Sequence, residues 1–272
     1  MYLSPTITLD HVTKCFAAKR ALEHVTATIY PGEFIAVIGK SGAGKTTLLR
    51  CLSCSTRVTE GVIRFGAQDL TALHGVALRL HRARVGMIYQ QFHLVRRLRV
   101  LDNVLIGRLP HLKGWRQWAA LCRYFDASQR EMALRCLDHV GLLDRVWQRT
   151  DTLSGGEQQR VAIAKILAQE PQVILADEPV ASLDMMNGTL VMATLRRVAS
   201  LAGLTVIANL HHVEYAQRYA DRVLGLRSGR LLFDGSPAAL TEAVLVDLFG
   251  DTYSEAPGSR AIATEEAIWA VS

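Results

Sequence analysis

Nine residues that follow a short apolar run combine glycines with cations and hydroxyl groups. The stretch "GKSGAGKTT" comes directly after "FIAVI" and contains the pattern G-x-x-x-x-G-K-[ST]. Glycines let the backbone bend so that successive N–H groups point at phosphate oxygens, and a following helix adds its positive N-terminal dipole. The lysine of this pattern can reach the β- and γ-phosphates, and the threonine hydroxyl can bind Mg²⁺. We therefore predict that ATP or a similar nucleotide binds Gly39, Lys40, Ser41, Gly42, Ala43, Gly44, Lys45, Thr46 and Thr47.

Two acidic residues end a second apolar run. The sequence "VILADE" places Asp177 and Glu178 where a buried strand would finish. In parallel sheets, ligands bind at the carboxyl ends of the strands. We predict that Asp177 holds Mg²⁺, through water, and that Glu178 polarises the water that attacks the nucleotide.

A second glycine-rich motif precedes that strand. The run "LSGGEQQR" begins at residue 153, and its small residues are placed to open a helix. N–H groups at the start of a helix bind phosphate, so this motif is a second candidate phosphate site. The candidate phosphate-binding residues here are Ser154, Gly155 and Gly156.

The elements that position these motifs alternate between strand and helix. "FIAVI", "VILAD" and "LTVIANL" are continuous apolar runs, which is typical of parallel strands buried on both faces. Helical stretches separate them, so the pattern predicts an α/β core. Residues 95–165 have few strand signals and contain amphipathic runs such as "REMALRCLDHVGLL", and we predict that they form an inserted helical subdomain. The expected domain is 1–252, followed by a short tail at 253–272.

Composition limits the classes of protein that remain. Of the 272 residues, 50% are hydrophobic and 21% are charged, which excludes a largely disordered chain. No apolar window of 18 residues or more lacks charge, so a membrane process would need another chain to cross the bilayer.

The five cysteines are odd in number, which is typical of a protein with reduced thiols. Cys51 and Cys54 are spaced like one pair of zinc ligands, but the sequence lacks the second pair that a zinc site needs. The net charge of +6 suits an anionic ligand, nucleic acid or an anionic membrane face.

Taken together, the motifs resemble those of the ATP-binding cassette family, and the resemblance runs from about residue 7 to 250. "LSGGEQQR" looks like the signature sequence of that family, and the resemblance implies nucleotide binding by Glu157 together with Ser154, Gly155 and Gly156. By that resemblance Phe16 stacks on adenine, and Gln90 in "MIYQQF" belongs to the glutamine loop and contributes to metal binding and catalysis. The same resemblance places Asp184 in "ASLD" in the D-loop, as part of the nucleotide site, and makes His211 in "NLHHV" the switch histidine, a catalytic residue.

Some of these assignments require a choice or depart from the family pattern. His211 is preferred to His212 because it keeps the spacing to the residues that follow, and Gln90 is preferred to Gln91 because it directly follows the aromatic residue. Lys40 stands where a proline or small residue is more usual, and its side chain could face the phosphates or the solvent. Met185 replaces a common proline. None of these departures removes a catalytic group, so an active ATPase is expected.

The resemblance implies a fold and a set of partners. The expected fold is a P-loop NTPase (RecA-like) core with an N-terminal antiparallel β subdomain and the inserted helical subdomain. Two copies would form a head-to-tail dimer, with each ATP between the glycine loop of one copy and the signature of the other. A permease dimer in the membrane, and through it a periplasmic or extracellular substrate-binding protein, would complete an importer. The chain would then lie on the cytoplasmic face of the bacterial inner membrane.

Several stretches, among them "YQQFHLVRRLRVLDNVLIGRL" and "ADEPVASLD", look most like the phosphonate importer ATPases. Phosphite, hypophosphite and phosphate stay open as substrates. The alternative is a family member that acts on nucleic acid or ribosomes, although such proteins usually carry two cassettes or a long coiled coil, so no nucleic acid is expected. A small-molecule kinase would leave "LSGGEQQR" without a purpose.

Overall fold

The computed structural model describes residues 6–17, 19–112 and 125–250. Within these ranges the strands fall into two sheets. Their bounds are β1 Ile7–Phe16, β2 Lys19–Ile29, β3 Phe34–Ile38, β4 Glu60–Phe65, β5 Gln68–Asp69, β6 Val85–Ile88, β7 Val173–Asp177, β8 Thr205–Asn209, β9 Arg222–Arg227 and β10 Arg230–Gly235.

Eight α-helices lie between or after these strands in the described ranges. Their bounds are α1 Lys45–Leu52, α2 Gly75–Arg84, α3 Val100–Ile106, α4 Ala127–His139, α5 Gly155–Ala168, α6 Met185–Ala202, α7 Val213–Tyr219 and α8 Glu242–Phe249.

The larger sheet has the strand order β10-β9-β3-β8-β7-β6. All of its neighbouring pairs are parallel except β9 and the edge strand β10. Parallel strands bring their carboxyl ends to one edge. The glycine loop after β3 and the acidic pair at the end of β7 therefore reach the same edge, with β8 between them.

The smaller sheet is antiparallel, with the order β2-β1-β4-β5. β1 pairs with β2 on one side and with β4 on the other. This is the N-terminal antiparallel β subdomain expected from the family resemblance, and with the parallel sheet and the helices it confirms the predicted fold class.

Both faces of the larger sheet are buried, as the apolar runs predicted. All five residues of β3 are fully buried. Phe34, Ala36 and Ile38 face a core shared with most of the helices, whereas Ile35 and Val37 face a second core shared with α1 and the antiparallel sheet. The alternation arises because successive strand side chains point to opposite faces.

The sequence analysis did not identify the strands β4, β5 and β6 or the helix α2, which complete the two sheets and their cover. In β6 the residue Gly86 interrupts the apolar run and hides the strand signal. A Cβ atom on Gly86 would lie 2.3 Å from Ile166 Cγ2 of helix α5, so only glycine allows this helix to pack so closely on the strand.

Helices α3, α4 and α5 form the helical region expected between the core strands. The bounds 95–165 stay a prediction, because α5 continues to Ala168 and packs on β6. The tryptophans Trp115 and Trp118, the rest of residues 113–124 and the tail at 253–272 lie outside the described residues. Among the helices that are described, none has the length and apolar character needed to cross a bilayer.

Candidate functional site: a phosphate loop, an acidic strand end and a helix-opening signature

The glycine loop joins β3 to α1 and wraps closely around its own backbone. Gly39 and Gly44 have φ values of +143° and +108°, which disfavour any residue with a Cβ atom. A Cβ atom would lie 2.1 Å from Leu226 O at Gly39 and 2.4 Å from Ala21 O at Gly44. Both glycines are therefore required by local conformation and by close backbone contacts.

Lys45 is the first residue of α1, and its side chain is only 5% exposed. Its Nζ atom donates hydrogen bonds to Gly39 O at 2.7 Å and to Lys40 O at 3.2 Å. Burial lowers the pKa of this ammonium group, and the carboxylates of Glu178 and Asp177 oppose that effect. The loop thus curls around a buried cation, as a phosphate-binding loop requires.

Oxygen atoms suited to a magnesium ion meet next to the loop. Thr46 Oγ1 donates a hydrogen bond to Asp177 Oδ1 at 3.0 Å. Asn209, which is paired with Asp177 in the sheet register, donates to the same oxygen from Nδ2 at 2.7 Å. A hydroxyl and a carboxylate are hard ligands of the kind that Mg²⁺ prefers. The donor set therefore fits the predicted ion, with Thr46 and Asp177 as its ligands.

Glu178 follows Asp177 at the end of β7 and has a φ of +53°, which non-glycine residues seldom adopt. The Nε2–H group of His211, which follows β8, donates a hydrogen bond to Glu178 Oε1. Both residues were predicted to be catalytic, and the structure brings them into direct contact. The strained backbone and the paired histidine are typical of a functional position.

A cavity of about 270 Å³ lies over the glycine loop and has Glu178 in its wall. Phe16, predicted to stack on adenine, also lines the cavity, and 47% of its surface is exposed. Lys14 Nζ lies 4.9 Å from the centre of the Phe16 ring. An exposed ring beside a phosphate loop offers a flat apolar surface for a base.

Gln90 follows β6 and is not among the residues that line the glycine-loop cavity. It is exposed and lines a different cavity of about 570 Å³, together with Phe92, Gln158 and Ser182. Gln158 belongs to the signature motif and Ser182 belongs to the D-loop segment. Gln90 thus lies beside residues of the signature motif and the D-loop, and the parallel pairing of β6 with β7 brings the end of β6 next to the end of β7, where Asp177 lies.

The signature motif opens α5 through a complete capping box. Ser154 Oγ accepts a hydrogen bond from the Glu157 backbone N–H at 3.3 Å, and Glu157 Oε2 accepts one from the Ser154 N–H at 2.9 Å. The backbone hydrogen bond from Ser154 is the main cause of a lowered pKa at Glu157. The side chain of Glu157, predicted to bind nucleotide, therefore caps the helix in this structure.

The chain carries two separate candidate phosphate surfaces. Ser154, Gly155, Gly156 and the D-loop residue Asp184 lie on the signature side, and none of them is a wall of the glycine-loop cavity described above. This separation is what a nucleotide shared between two copies requires. The residues of the signature side therefore lie apart from a group that the structure brings together beside the glycine loop. That group consists of Lys45, Thr46, Asp177, Glu178 and His211.

Sequence reasoning missed three residues of the glycine-loop side. Asn209 could have been noticed, because it is a polar residue at the end of an otherwise apolar strand. Lys19 and Ala21 also line the cavity, but they belong to β2 and no motif marks them. Only the placement of the antiparallel sheet over the loop brings them there.

The cysteines behave as structural residues in the described part of the chain. Cys15, Cys51, Cys54 and Cys136 are free thiols there, and those ranges contain no cluster of three metal-binding side chains. Burial raises the pKa of the Cys51 and Cys54 thiols to about 11 each. Thiols of this kind are mostly protonated and unreactive at neutral pH.

Known proteins match this chain over most of its length. Residues 22–181 match the family model described as ABC transporter. The phosphonates import ATP-binding protein PhnC 2 of Rhodopseudomonas palustris strain BisA53 is 45% identical over 254 residues, which is 93% of each chain. PhnC of Bradyrhizobium diazoefficiens is 44% identical over 262 residues, or 96% of each chain.

Solved structures agree with these relatives. A dimeric bacterial ABC transporter cassette aligns with a TM-score of 0.74 at 32% identity, covering 85% of this chain and 98% of that chain. A dimeric cassette in a post-hydrolysis state, bound to ADP and phosphate, aligns with a TM-score of 0.73 at 31% identity and covers the same shares. On the family match and on these identities, the chain belongs to the ABC transporter family.

Proposed function

We propose that this chain is the ATP-hydrolysing subunit of a bacterial importer of phosphonate or a related phosphorus oxyanion. The observation that carries the proposal is the convergence of Lys45, Thr46, Asp177, Glu178 and His211 at one edge of the parallel sheet. The two relatives described above, whose names specify phosphonate import, support the substrate class. They favour import over action on nucleic acid or ribosomes.

The residues of the glycine-loop side have distinct roles in this proposal. The loop N–H groups and Lys45 bind the phosphates, and Phe16 stacks on adenine. Thr46 and Asp177 would hold Mg²⁺, with Gln90 as a further predicted ligand, and the ion would neutralise phosphate charge.

Hydrolysis follows from the Glu178–His211 pair. Glu178 accepts a proton from water while the water oxygen attacks the γ-phosphorus atom, and the bond to the β–γ bridging oxygen breaks to leave ADP and phosphate. His211 holds the Glu178 carboxylate in place through its hydrogen bond. The signature residues Ser154, Gly155 and Gly156 bind the γ-phosphate of the partner copy's ATP, so closure of the dimer depends on nucleotide.

The substrate class is tested by growth. Deleting the gene is expected to abolish growth on a phosphonate as sole phosphorus source, and the intact gene but not the Glu178→Gln gene should restore it. Parallel cultures on phosphite, hypophosphite and phosphate identify which oxyanion depends on the chain. Unchanged growth on all four sources after deletion would contradict the proposal.

We also propose that the permease contacts the segment at 90–108. Val95 is 49% exposed, whereas Leu94 packs against the main core. Arg108 is buried, and its guanidinium donates hydrogen bonds to Ala168 O and to the Glu170 carboxylate. Phe92 and His93 line a neighbouring cavity of about 390 Å³ between this segment and α5. The exposed part of the segment, rather than all of it, is therefore the docking surface for a short permease helix.

Val95→Glu is expected to weaken binding to the permease by at least about tenfold, because it buries a charge in an apolar contact. The thermal melt and the ATP affinity of the isolated chain should stay unchanged, since the side chain is exposed. A pull-down with the permease measures the effect. Val76→Glu on α2 is the matched control, because Val76 is a similarly exposed valine at 61%. Equal binding by the two variants would contradict docking at Val95.

A further inference from the structure

The signature turn and the D-loop touch each other within one chain. A Cβ atom on Gly155 would lie 3.1 Å from Leu183 Cδ2. A Cβ atom on Gly156 would lie 2.7 Å from Asn187 Oδ1, 3.0 Å from its Cγ and 3.1 Å from its Cβ. A Cβ atom at either glycine would force its neighbour to shift, so the signature turn and the D-loop segment pack closely. The neighbour of Gly156 is a polar side chain that the motifs did not single out.

The same asparagine is bound to the D-loop aspartate. Asp184 Oδ1 accepts a hydrogen bond from the Asn187 backbone N–H at 3.0 Å, and Asp184 Oδ2 accepts one from Asn187 Nδ2 at 2.5 Å. These two bonds are the main causes of a lowered pKa at Asp184. One end of the asparagine amide thus holds the aspartate, and the other end lies against the signature backbone.

We propose that Asn187 is a positioning residue that makes the signature turn and the D-loop move as one unit during ATP-dependent closure. This inference rests on the proposed function, because it assumes that both segments meet the partner copy's nucleotide site. It does not need Asn187 to touch nucleotide.

The side chain, and not the helix cap alone, is responsible for the coupling. Asp184 caps helix α6 through the backbone N–H of Asn187, and any residue at 187 other than proline supplies that donor. The shortest approach to Gly156, from Asn187 Oδ1, and the second bond to Asp184 both come from the asparagine amide. A substitution of the Asn187 side chain therefore removes the proposed coupling but leaves the backbone cap of helix α6 in place.

Asn187→Ala is expected to lower kcat by about tenfold or more, the effect of losing one hydrogen bond to a charged group. The KM for ATP and the thermal melt should stay within error, because the nucleotide site and the cap are intact. Asn187→Asp keeps the shape but replaces the donor with a carboxylate that repels Asp184, so it should be at least as impaired. Thr189→Ala, on the same helix and leaving both contacts in place, should behave as wild type.

A double-variant comparison tests the contact with Gly156 itself. Gly156→Ala alone forces a methyl group to 2.7 Å from Asn187 Oδ1. In the Asn187→Ala background that oxygen is gone, so the added loss from Gly156→Ala should be smaller than in wild type. Strictly additive losses would overturn the proposal, as would an Asn187→Ala enzyme with wild-type kcat. A lowered melting temperature accompanying the loss of kcat would assign Asn187 a structural role instead.

The strength of the ATP-bound dimer tests the role of Asn187 and the proposed function separately. Glu178→Gln protein should form a dimer with ATP on size-exclusion chromatography, and adding Asn187→Ala should weaken that dimer by about tenfold or more. Failure of Glu178→Gln alone to dimerise would count against the shared-site function. A dimer unaffected by Asn187→Ala would leave that function in place and overturn the role of Asn187.

Discussion

Glu178→Gln is expected to lower kcat by at least about 100-fold while ATP binding stays near that of wild type. The substitution keeps the shape of the side chain and the contact with His211, but the amide cannot accept a proton from the attacking water. Because ATP then persists, the variant should accumulate as an ATP-bound dimer. Phosphate release under saturating ATP measures the rate, and size-exclusion chromatography measures the dimer.

Glu131→Gln is the control for this change. Glu131 is an exposed carboxylate on α4 that pairs with Arg135, away from the glycine loop. Its variant should hydrolyse ATP at the wild-type rate. A Glu178→Gln enzyme with near wild-type activity would move the base to another residue, and His211 would be the next candidate because it already contacts Glu178 Oε1.

Lys45→Ala is expected to raise the Kd for ATP by at least about 30-fold, which is the lower end for removing one partner of a buried charged contact. Two losses combine in this variant. The cation that faces the phosphates disappears, and so do the hydrogen bonds from Nζ to Gly39 O and Lys40 O that hold the loop in shape. Titration with a fluorescent ATP analogue measures the affinity.

Arg50→Ala is the matched control for Lys45→Ala, because it removes one positive charge from the exposed side of the same helix. Both variants should melt within a few degrees of wild type, and only Lys45→Ala should lose affinity. Wild-type affinity in Lys45→Ala would contradict the assignment of the loop to phosphate binding.

The contiguous motifs were predictable because their geometry is local. The run from Gly39 to Thr46 needs only a strand, a turn with positive φ values and a helix start, and all three are encoded within a few residues. The buried strands β3, β7 and β8 were recognisable from unbroken apolar runs. The capping box of Ser154 and Glu157 also follows from residues three apart.

The strand β6 was not predictable in the same way. The signal of β6 is broken by Gly86, whose lack of a side chain is a packing requirement set by Ile166, 80 residues further along the chain. The sequence likewise gives no indication that Arg108 differs from the cations on the surface. In the fold it is buried against Ala168 O, Glu170 and Gln129.

The sequence by itself determined which residues are the candidates for nucleotide chemistry, because phosphate cradles, helix caps and strand-end carboxylates are built from neighbours in the chain. Only the tertiary structure decided how these pieces meet. Asn209 reaches Asp177 because β8 lies beside β7, and Lys19 reaches the cavity because the antiparallel sheet lies over the loop. Asn187 contacts Gly156 because α5 and α6 begin side by side. Contacts of this kind depend on strand order and helix packing, which join residues that no local pattern relates.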